Sequence, residues 1–567
     1  MRRRIHQLLF ISAILTSSLL NAAEKPRLIV VISIDQFPYE YLERFSPWFA
    51  PGGFNRFMKD GANFENARYT YANTYTGPGH ASIGTGYLPS ESGIVANRWY
   101  DREKGKSVYV VEDSTVDPIV PKGKEDLASR LKMSPRNMAV DTLGDRLQKN
   151  ISDAKVYSVA IKDRSAILMA GHKAGAAYWF DGRLPGFTST RFYPKSDEAL
   201  LNTFNATLPQ YLLKTPEWKQ SGLIPDVDLA KITRDPVWLR GTKSNRYELG
   251  TSFPHKIRNV DALTYTPFGN DIVFDFARTI IDSAALGSDA SPDLLYIGLS
   301  SPDYLGHFFG PESLEVADTV VRTDRQLEAF LSWLTAKFPG EVTVALTADH
   351  GVQSIPEVAR DMGRDAGRVD LDDAGALATR VADLPLARRQ LEKLAFTTLE
   401  RELTDESPIQ RALITFFEEP AIWFDWSKVD RLKLDRERVK RAYRDSAKKL
   451  AGVAAAFTNT ELRKANPKAG SIERAVRNSF RYDRSGDVLI SLKSGWIWNY
   501  DGTGATHGQP VKADQHVPVM FWGAGIKAGT YTSPAAPTDI AKTLGAILGV
   551  EAGGAESVAL PCVAVQR

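Results

Sequence analysis

The sequence predicts an α/β protein with a mostly parallel central sheet flanked by helices, and three observations carry that prediction. The run "RLIVVISID" is continuous, apolar and β-branched up to Asp35, as a strand buried on both faces would be. Two further runs also end in carboxylates, "DLLYIGLSSPD" at Asp303 and "EVTVALTADHG" at Asp349 and His350. Between them, Leu314, Val320, Val321, Leu327, Phe330, Leu331 and Leu334 recur at helical spacing, which makes a strand, helix, strand unit. Ligands of such sheets gather at the carboxyl ends of strands, so acids at three strand exits mark the edge where chemistry is expected.

Taken in chain order, residues 1–22 stand apart from this core. Arg2, Arg3 and Arg4 precede the apolar run "LLFISAILTSSLL" and the small residues of "NAA", the layout of a secretory signal peptide. The apolar run is too short and too interrupted by Ser and Thr for a membrane anchor. Residues 23–567 then read as one catalytic domain with two insertions. Residues 171–262 are rich in Trp, Tyr, Pro and Gly, and 353–500 mixes charged helices such as "LARRQLEKLAFTTLEREL" with short strands. "FGNDIVFDFARTIIDSAAL" reads as a core helix, and "HVPVMFWGAG" and "PTDIAKTLGAILG" as a last core strand and helix. The acidic "DAGRVDLDDAGALA" lacks the spacing and closing Glu of a calcium loop and reads as a solvated loop.

Charge and cysteine content remove several function classes. Without Arg2, Arg3 and Arg4 the 71 Lys and Arg fall to 68, equal to the 68 Asp and Glu, and no basic stripe is left to suggest nucleic acid. Cys562 is the single cysteine, so no disulfide forms within the chain and an exported fold must rely on its core or on metals.

Seven histidines follow the leading segment, and three of them have telling neighbours. Asp303 and His307 are four apart, on one face of a helical turn. Asp349 and His350 leave a buried strand together, and His507 sits in the Gly-flanked loop "ATHGQP". Asp oxygen and imidazole nitrogen suit zinc, and their joint placement at strand exits raises a two-metal site, with Asp35 a further ligand candidate. The stretch "NTYTGPGHASIGTG" offers two hydroxyls, Thr74 and Thr76, ahead of a small-residue run suited to a helix N-terminus with N–H groups turned to an anion. His80, His172, His255 and His516 read as structural, His80 buttressing Thr76 and His516 orienting the His507 loop. Asp501 and Asp514 are candidates to hold the ligand histidines.

The stretches "VISIDQF", "TYTGPGHASIGTGYLPSESGIVANRWYD", "SVAIKDRSAILMAGHKAGAAYWFD", "SSPDYLGHFFGP", "LTADHG" and "THGQP" together resemble the alkaline phosphatase superfamily. Within it they are most similar to the phosphate-irrepressible, PafA-type bacterial alkaline phosphatases with a Thr nucleophile, relatives of the nucleotide pyrophosphatase/phosphodiesterases. The resemblance implies an alkaline-phosphatase-like fold with cap-like insertions and two Zn²⁺ per subunit. Asp35, Thr76, Asp349 and His350 would surround one zinc, and Asp303, His307 and His507 the other. It makes Thr76 rather than Thr74 the nucleophile and gives Asn97 a phosphoryl oxygen. Lys162 and Arg164 become the cation pair that marks monoesterases; along a strand, positions i and i+2 would share a face. No third catalytic metal is implied.

The function so implied is an exported zinc-dependent alkaline phosphatase, periplasmic or secreted. It would hydrolyse small-molecule phosphate monoesters through a phosphothreonine intermediate, with no nucleic-acid partner and no membrane association after signal cleavage. The alternatives are a phosphodiesterase or nucleotide pyrophosphatase using the same site, or a non-catalytic periplasmic phosphate- or metal-binding protein.

Overall fold

Leu28–Ile34 is buried at all seven positions and forms the middle of the molecule. Its side chains divide by period two. Leu28, Val30, Ile32 and Ile34 pack into one apolar layer with the helices Phe268–Ser283 and Leu314–Lys337. Ile29 and Val31 pack into the other, with helices Thr76–Thr85, Asp163–Ala170 and Asp539–Leu548. Layers on both faces explain the uninterrupted apolar run, and each buried Leu or Ile contributes about 1.5–3 kcal/mol relative to an exposed one.

The computed structural model describes residues 25–121, 123–234, 249–370, 413–431, 433–499 and 502–564. The leading segment 1–22, the "LARRQLEKLAFTTLEREL" stretch, the acidic stretch from residue 371 onward and Asp501 lie outside the described residues.

Among the described residues, ten strands make the central sheet. Their spatial order is Gly529–Tyr531, Ala62–Phe64, Val519–Gly523, Val342–Thr347, Leu28–Ile34, Asp293–Leu299, Val156–Ala160, Ala176–Asp181, Gly186–Thr190 and Pro118–Ile119. The five strands from Val342–Thr347 to Ala176–Asp181 are parallel. Val519–Gly523 runs antiparallel beside them, as does Gly186–Thr190. The two strands of the strand, helix, strand unit flank Leu28–Ile34 rather than each other, so helix Leu314–Lys337 crosses over the central strand. That places the exits at Asp35, Asp303 and Asp349 side by side.

The first expected insertion begins later than its composition suggests. Ala176–Asp181 and Gly186–Thr190, both inside 171–262, extend the central sheet, their aromatic content reflecting burial within it. Short helices such as Glu198–Asn205 and Asp226–Ile232 follow. Residues from 413 to 499 build a separate four-stranded sheet, in the order Ile414–Glu418, Ala421–Phe424, Val488–Leu492, Val453–Thr458, with helix Arg436–Ala447 on it. This sheet has its own apolar core of Ile422, Val439, Tyr443 and Ile490. No described helix is long and apolar enough to cross a membrane.

Candidate active site

Each parallel strand delivers its acid directly. Asp35 follows Ile34, Asp303 lies in the first turn of helix Ser301–Phe309, and Asp349 stands two residues beyond Thr347. Asp35 and Asp349 are fully buried and Asp303 nearly so. Gln36 links them. Its backbone N–H donates to Asp349 Oδ1 at 3.1 Å and its Nε2 to Asp303 Oδ1 at 3.0 Å. To do so Gln36 adopts φ 59°, a left-handed conformation that costs a non-glycine residue about 1–3 kcal/mol. Two glycines make room. A Cβ on Gly306 would lie 1.7 Å from Gln36 Oε1, and one on Gly79 would lie 2.3 Å from the Asp349 carbonyl oxygen.

Three histidines converge on the same acids, and each is oriented by the backbone. Nδ1 of His507 donates to the Thr74 carbonyl at 2.7 Å, Nδ1 of His307 to Ala505 at 2.7 Å, and Nδ1 of His350 to Gly351 at 2.9 Å. A carbonyl only accepts, so each Nδ1 carries a hydrogen and each Nε2 is turned away from the backbone. Those Nε2 atoms face Asp303 Oδ1, at 3.3 Å for His307, 3.7 Å for His507 and 3.8 Å for His350. His350 Nε2 is also 3.1 Å from Asp349 Oδ2. The His350 and His507 rings stack 3.4 Å apart. Two groups of ligand-type atoms result, Asp303 with His350 and His507, and Asp35 with His80 and Asp349.

His80 is the residue that sequence reasoning left out of this centre. Helix Thr76–Thr85 carries it one turn past Thr76, its Nδ1 bonded to the Thr76 carbonyl at 2.9 Å and its Nε2 3.2 Å from Asp35 Oδ1. Burial opposes charge on His80, but Asp35 and Asp349 outweigh it and raise its pKa. Burial likewise pushes Asp303 up, and Lys162 and His307 more than reverse it, holding the carboxyl well below its usual range. His507 is driven well below the ordinary imidazole value by burial and then by His350 and His307, so its ring is neutral. A neutral imidazole with a fixed Nδ1–H is the form a metal requires.

The hydroxyl of Thr76 opens the buried helix Thr76–Thr85, and Arg164 Nη2 lies 3.4 Å from its Oγ. Asn97 Oδ1 accepts from Gly77 N–H at 2.8 Å, which leaves the Asn97 amide hydrogens to donate. The helix N–H groups expected to face an anion are mostly spent. Gly77 bonds Asn97, Gly79 bonds the Tyr75 carbonyl at 2.9 Å, and Pro78 has none. The donors left at this end are therefore mostly side chains. Lys162 and Arg164 do not alternate along a strand, because the strand ends at Ala160 and Lys162 caps helix Asp163–Ala170. Arg164 reaches Thr76 and the Tyr109 hydroxyl, the latter at 3.2 Å. Lys162 turns inward, its Nζ 2.5 Å from Asp303 Oδ2 and 3.2 Å from Asp35 Oδ2.

A cavity of about 190 Å³ opens over Thr76, Asn97, Arg164, Asp303, His307 and His507. Both oxygens of Asp35, Asp349 Oδ2 and the Nε2 of His350 are buried without a hydrogen-bond partner, Asp35 making only ion-pair contacts with His80 and Lys162. Clustered lone pairs of this kind call for a cation, and their donor types fit zinc.

The remaining expectations divide. His172 and His255 are structural, bonded to Asp145 and Met138, and to Leu249 and Glu315. His516 does not orient the His507 loop; it bonds the Glu65 carbonyl at 2.8 Å and stacks on Tyr39. Asp514 holds that loop instead, accepting from Gln509 N–H at 2.8 Å, while backbone carbonyls orient the histidines. Residues 171–262 contribute nothing to the described cavity lining, which Glu418 and Glu419 of the second insertion complete.

A family model described as type I phosphodiesterase / nucleotide pyrophosphatase matches residues 29–514. Alkaline phosphatase PhoV of Synechococcus elongatus is 33% identical over 540 residues, covering 93% of this chain and 90% of the relative. Alkaline phosphatase PafA of Elizabethkingia meningoseptica is 30% identical over 550 residues, covering 96% and 95%. The crystal structure of wild-type alkaline phosphatase PafA superposes with a TM-score of 0.81 at 30% identity, over 96% of this chain and all of that one. Fold, site and matches define a phosphoric ester hydrolase of the alkaline phosphatase superfamily. The chain belongs to the type I phosphodiesterase / nucleotide pyrophosphatase family and is similar, along nearly its whole length, to the PafA-type alkaline phosphatases.

Proposed function

We propose that the chain is an exported zinc-dependent alkaline phosphatase that passes the phosphoryl group of a monoester first to Thr76 and then to water. The observation that carries this reading is the Thr76 hydroxyl 3.4 Å from Arg164, beside a cluster of Asp and His ligand atoms in which both Asp35 oxygens, Asp349 Oδ2 and His350 Nε2 have no hydrogen-bond partner. Asp35, Thr76, Asp349 and His350 would hold one Zn²⁺, and Asp303, His307 and His507 the other. When bound, zinc lowers the pKa of a hydroxyl and stabilises oxygen charge.

The chain's own residues do the rest. Arg164 and the Asn97 amide donate to the non-bridging oxygens, and charge-assisted donation of this kind favours the spread charge of the transition state. Thr76 Oγ bonds phosphorus as the ester P–O bond breaks and the alcohol departs. A water oxygen then displaces Thr76 Oγ and frees inorganic phosphate. Lys162 stands between Asp35 and Asp303, where its ammonium balances the acids; metal binding to those carboxylates would free it to meet the extra charge of a monoester dianion.

A phosphodiester hydrolase with the same threonine is the second reading. It is favoured by the family match and by the commitment of Lys162 to the two carboxylates, which leaves Arg164 as the cation on the cavity. The two are separated by kcat/KM for an aryl phosphate monoester and the matching diester, with zinc and with chelator. A chelator-sensitive monoester preference is expected, and a ratio below one moves the enzyme to the diesterase class.

A further inference from the structure

The cavity over Thr76 has a second, acidic wall. Glu418 and Glu419 line it together with Thr76, Asn97 and Arg164. They come from the turn between strands Ile414–Glu418 and Ala421–Phe424, far from the strand exits in sequence. Their position is set by packing. Phe416, two residues before Glu418, stacks on Tyr100 at 5.8 Å and meets Trp423 at 5.4 Å. Tyr100 lies on strand Arg98–Asp101, which leaves Asn97 directly. The acidic turn and the phosphate-facing asparagine are therefore fixed to the same short strand.

Glu419 is only 7% exposed, and its Oε2 has no hydrogen-bond partner. Burial, with Glu418 and Asp514 nearby, holds its carboxyl well above the usual range. Burial raises Glu418 as well, with Arg98 opposing. A buried carboxyl kept uncomfortable in this way is stabilised when a cation supplies the missing countercharge. The phosphoryl group cannot be that partner, because it brings no positive charge. The only other part of an ester substrate to enter the cavity is the alcohol it leaves behind.

We propose that Glu418 and Glu419 form a leaving-group subsite that selects phosphate monoesters of ammonium-bearing alcohols over those of anionic alcohols. This rests on the proposed function for its phosphate end. It adds a substrate class: phosphorylated amino alcohols are favoured, and esters whose alcohol carries a carboxylate or further phosphates bring no countercharge and bind more weakly.

The test is calorimetric binding to the zinc-loaded Thr76→Ala protein, which removes the hydroxyl but keeps the cavity, using phosphoethanolamine and phosphoglycolate as probes. The ammonium ester is expected to bind at least tenfold tighter than the carboxylate ester. Adding Glu419→Gln should shrink that ratio about five- to thirtyfold, the range of one charge-assisted contact. Glu418→Gln, at a half-buried position, repeats the test should E419Q disturb folding. Equal affinities for the two esters, or a ratio unmoved by both variants, overturns the subsite. Failure of the parent protein to hydrolyse monoesters, with the binding ratio intact, would instead overturn the proposed function and leave the subsite standing.

Discussion

Three groups of Asp and His side chains in the described structure are close enough to hold a metal ion, and they are not alike. Two lie at the strand exits, Asp303 with His350 and His507, and Asp35 with His80 and Asp349. The third, Asp141 with Asp145 and His172, lies at the start of helix Leu143–Asn150. There the buried atoms are spent. Asp145 accepts from Thr142 N–H at 2.9 Å and Lys173 N–H at 2.6 Å, His172 bonds Asp145 and the Met138 carbonyl, and Asp141 pairs with Arg146 and Lys149. At the strand exits, the oxygens of Asp35 and the Nε2 of His350 have no hydrogen-bond partner. The same residue types make a helix cap in one place and a candidate metal centre in the other. What separates them is whether the lone pairs are already used.

Substitutions should separate the two regions. The largest effect is expected from Thr76→Ala, which should lower kcat/KM on an aryl phosphate by roughly 10³-fold or more while zinc content, read by mass spectrometry, is unchanged. Retained activity would remove Thr76 from the chemistry. Gln36→Ala should come next. Loss of its bonds to Asp303 and Asp349 unfixes two ligand carboxylates, and the measured cost in zinc affinity or kcat/KM should be about 10–100-fold.

His172→Gln belongs to the other region and should leave kcat/KM and zinc content alone while lowering urea stability by about 1–3 kcal/mol, the cost of an unsatisfied buried partner. A fall in zinc content there would erase the distinction between spent and unspent groups. The smallest effect concerns pH. The hydrogen bond with Asp145 raises the pKa of His172 against the opposing effect of burial. A raised folded-state value gives stability that is fully present below about pH 6.5 and fades as pH rises through the elevated value. The stability gap between wild type and H172Q should therefore be wider at pH 5 than at pH 8; a gap that widens with pH would contradict the pairing.

Much of this was legible in the sequence because it is local. Continuous apolar runs gave away three of the five parallel strands, and a four-residue spacing put Asp303 and His307 on one helical face. The unread parts depend on contacts between distant segments. Thr74 orients His507 across 433 positions, and Gln36 reaches Asp303 across 267. His80 reads as a small-helix residue until the helix is seen packed on Asp349, with Gly79 permitting the approach. Lys162 and Arg164 part company because the strand ends two residues before Lys162, a boundary that apolar patterning does not mark. Glu418 and Glu419 interrupt the apolar stretch "LITFFEEPAIWF" with no motif, and only the docking of Phe416 on Tyr100 brings them to the cavity.

The most direct test of the account is a zinc titration of chelator-stripped protein, following kcat/KM on an aryl phosphate monoester. No turnover is expected without metal, with a rise that completes at two zinc ions per chain and the same curve for His172→Gln. Full activity in the stripped protein, or zinc uptake that His172→Gln reduces, would contradict it.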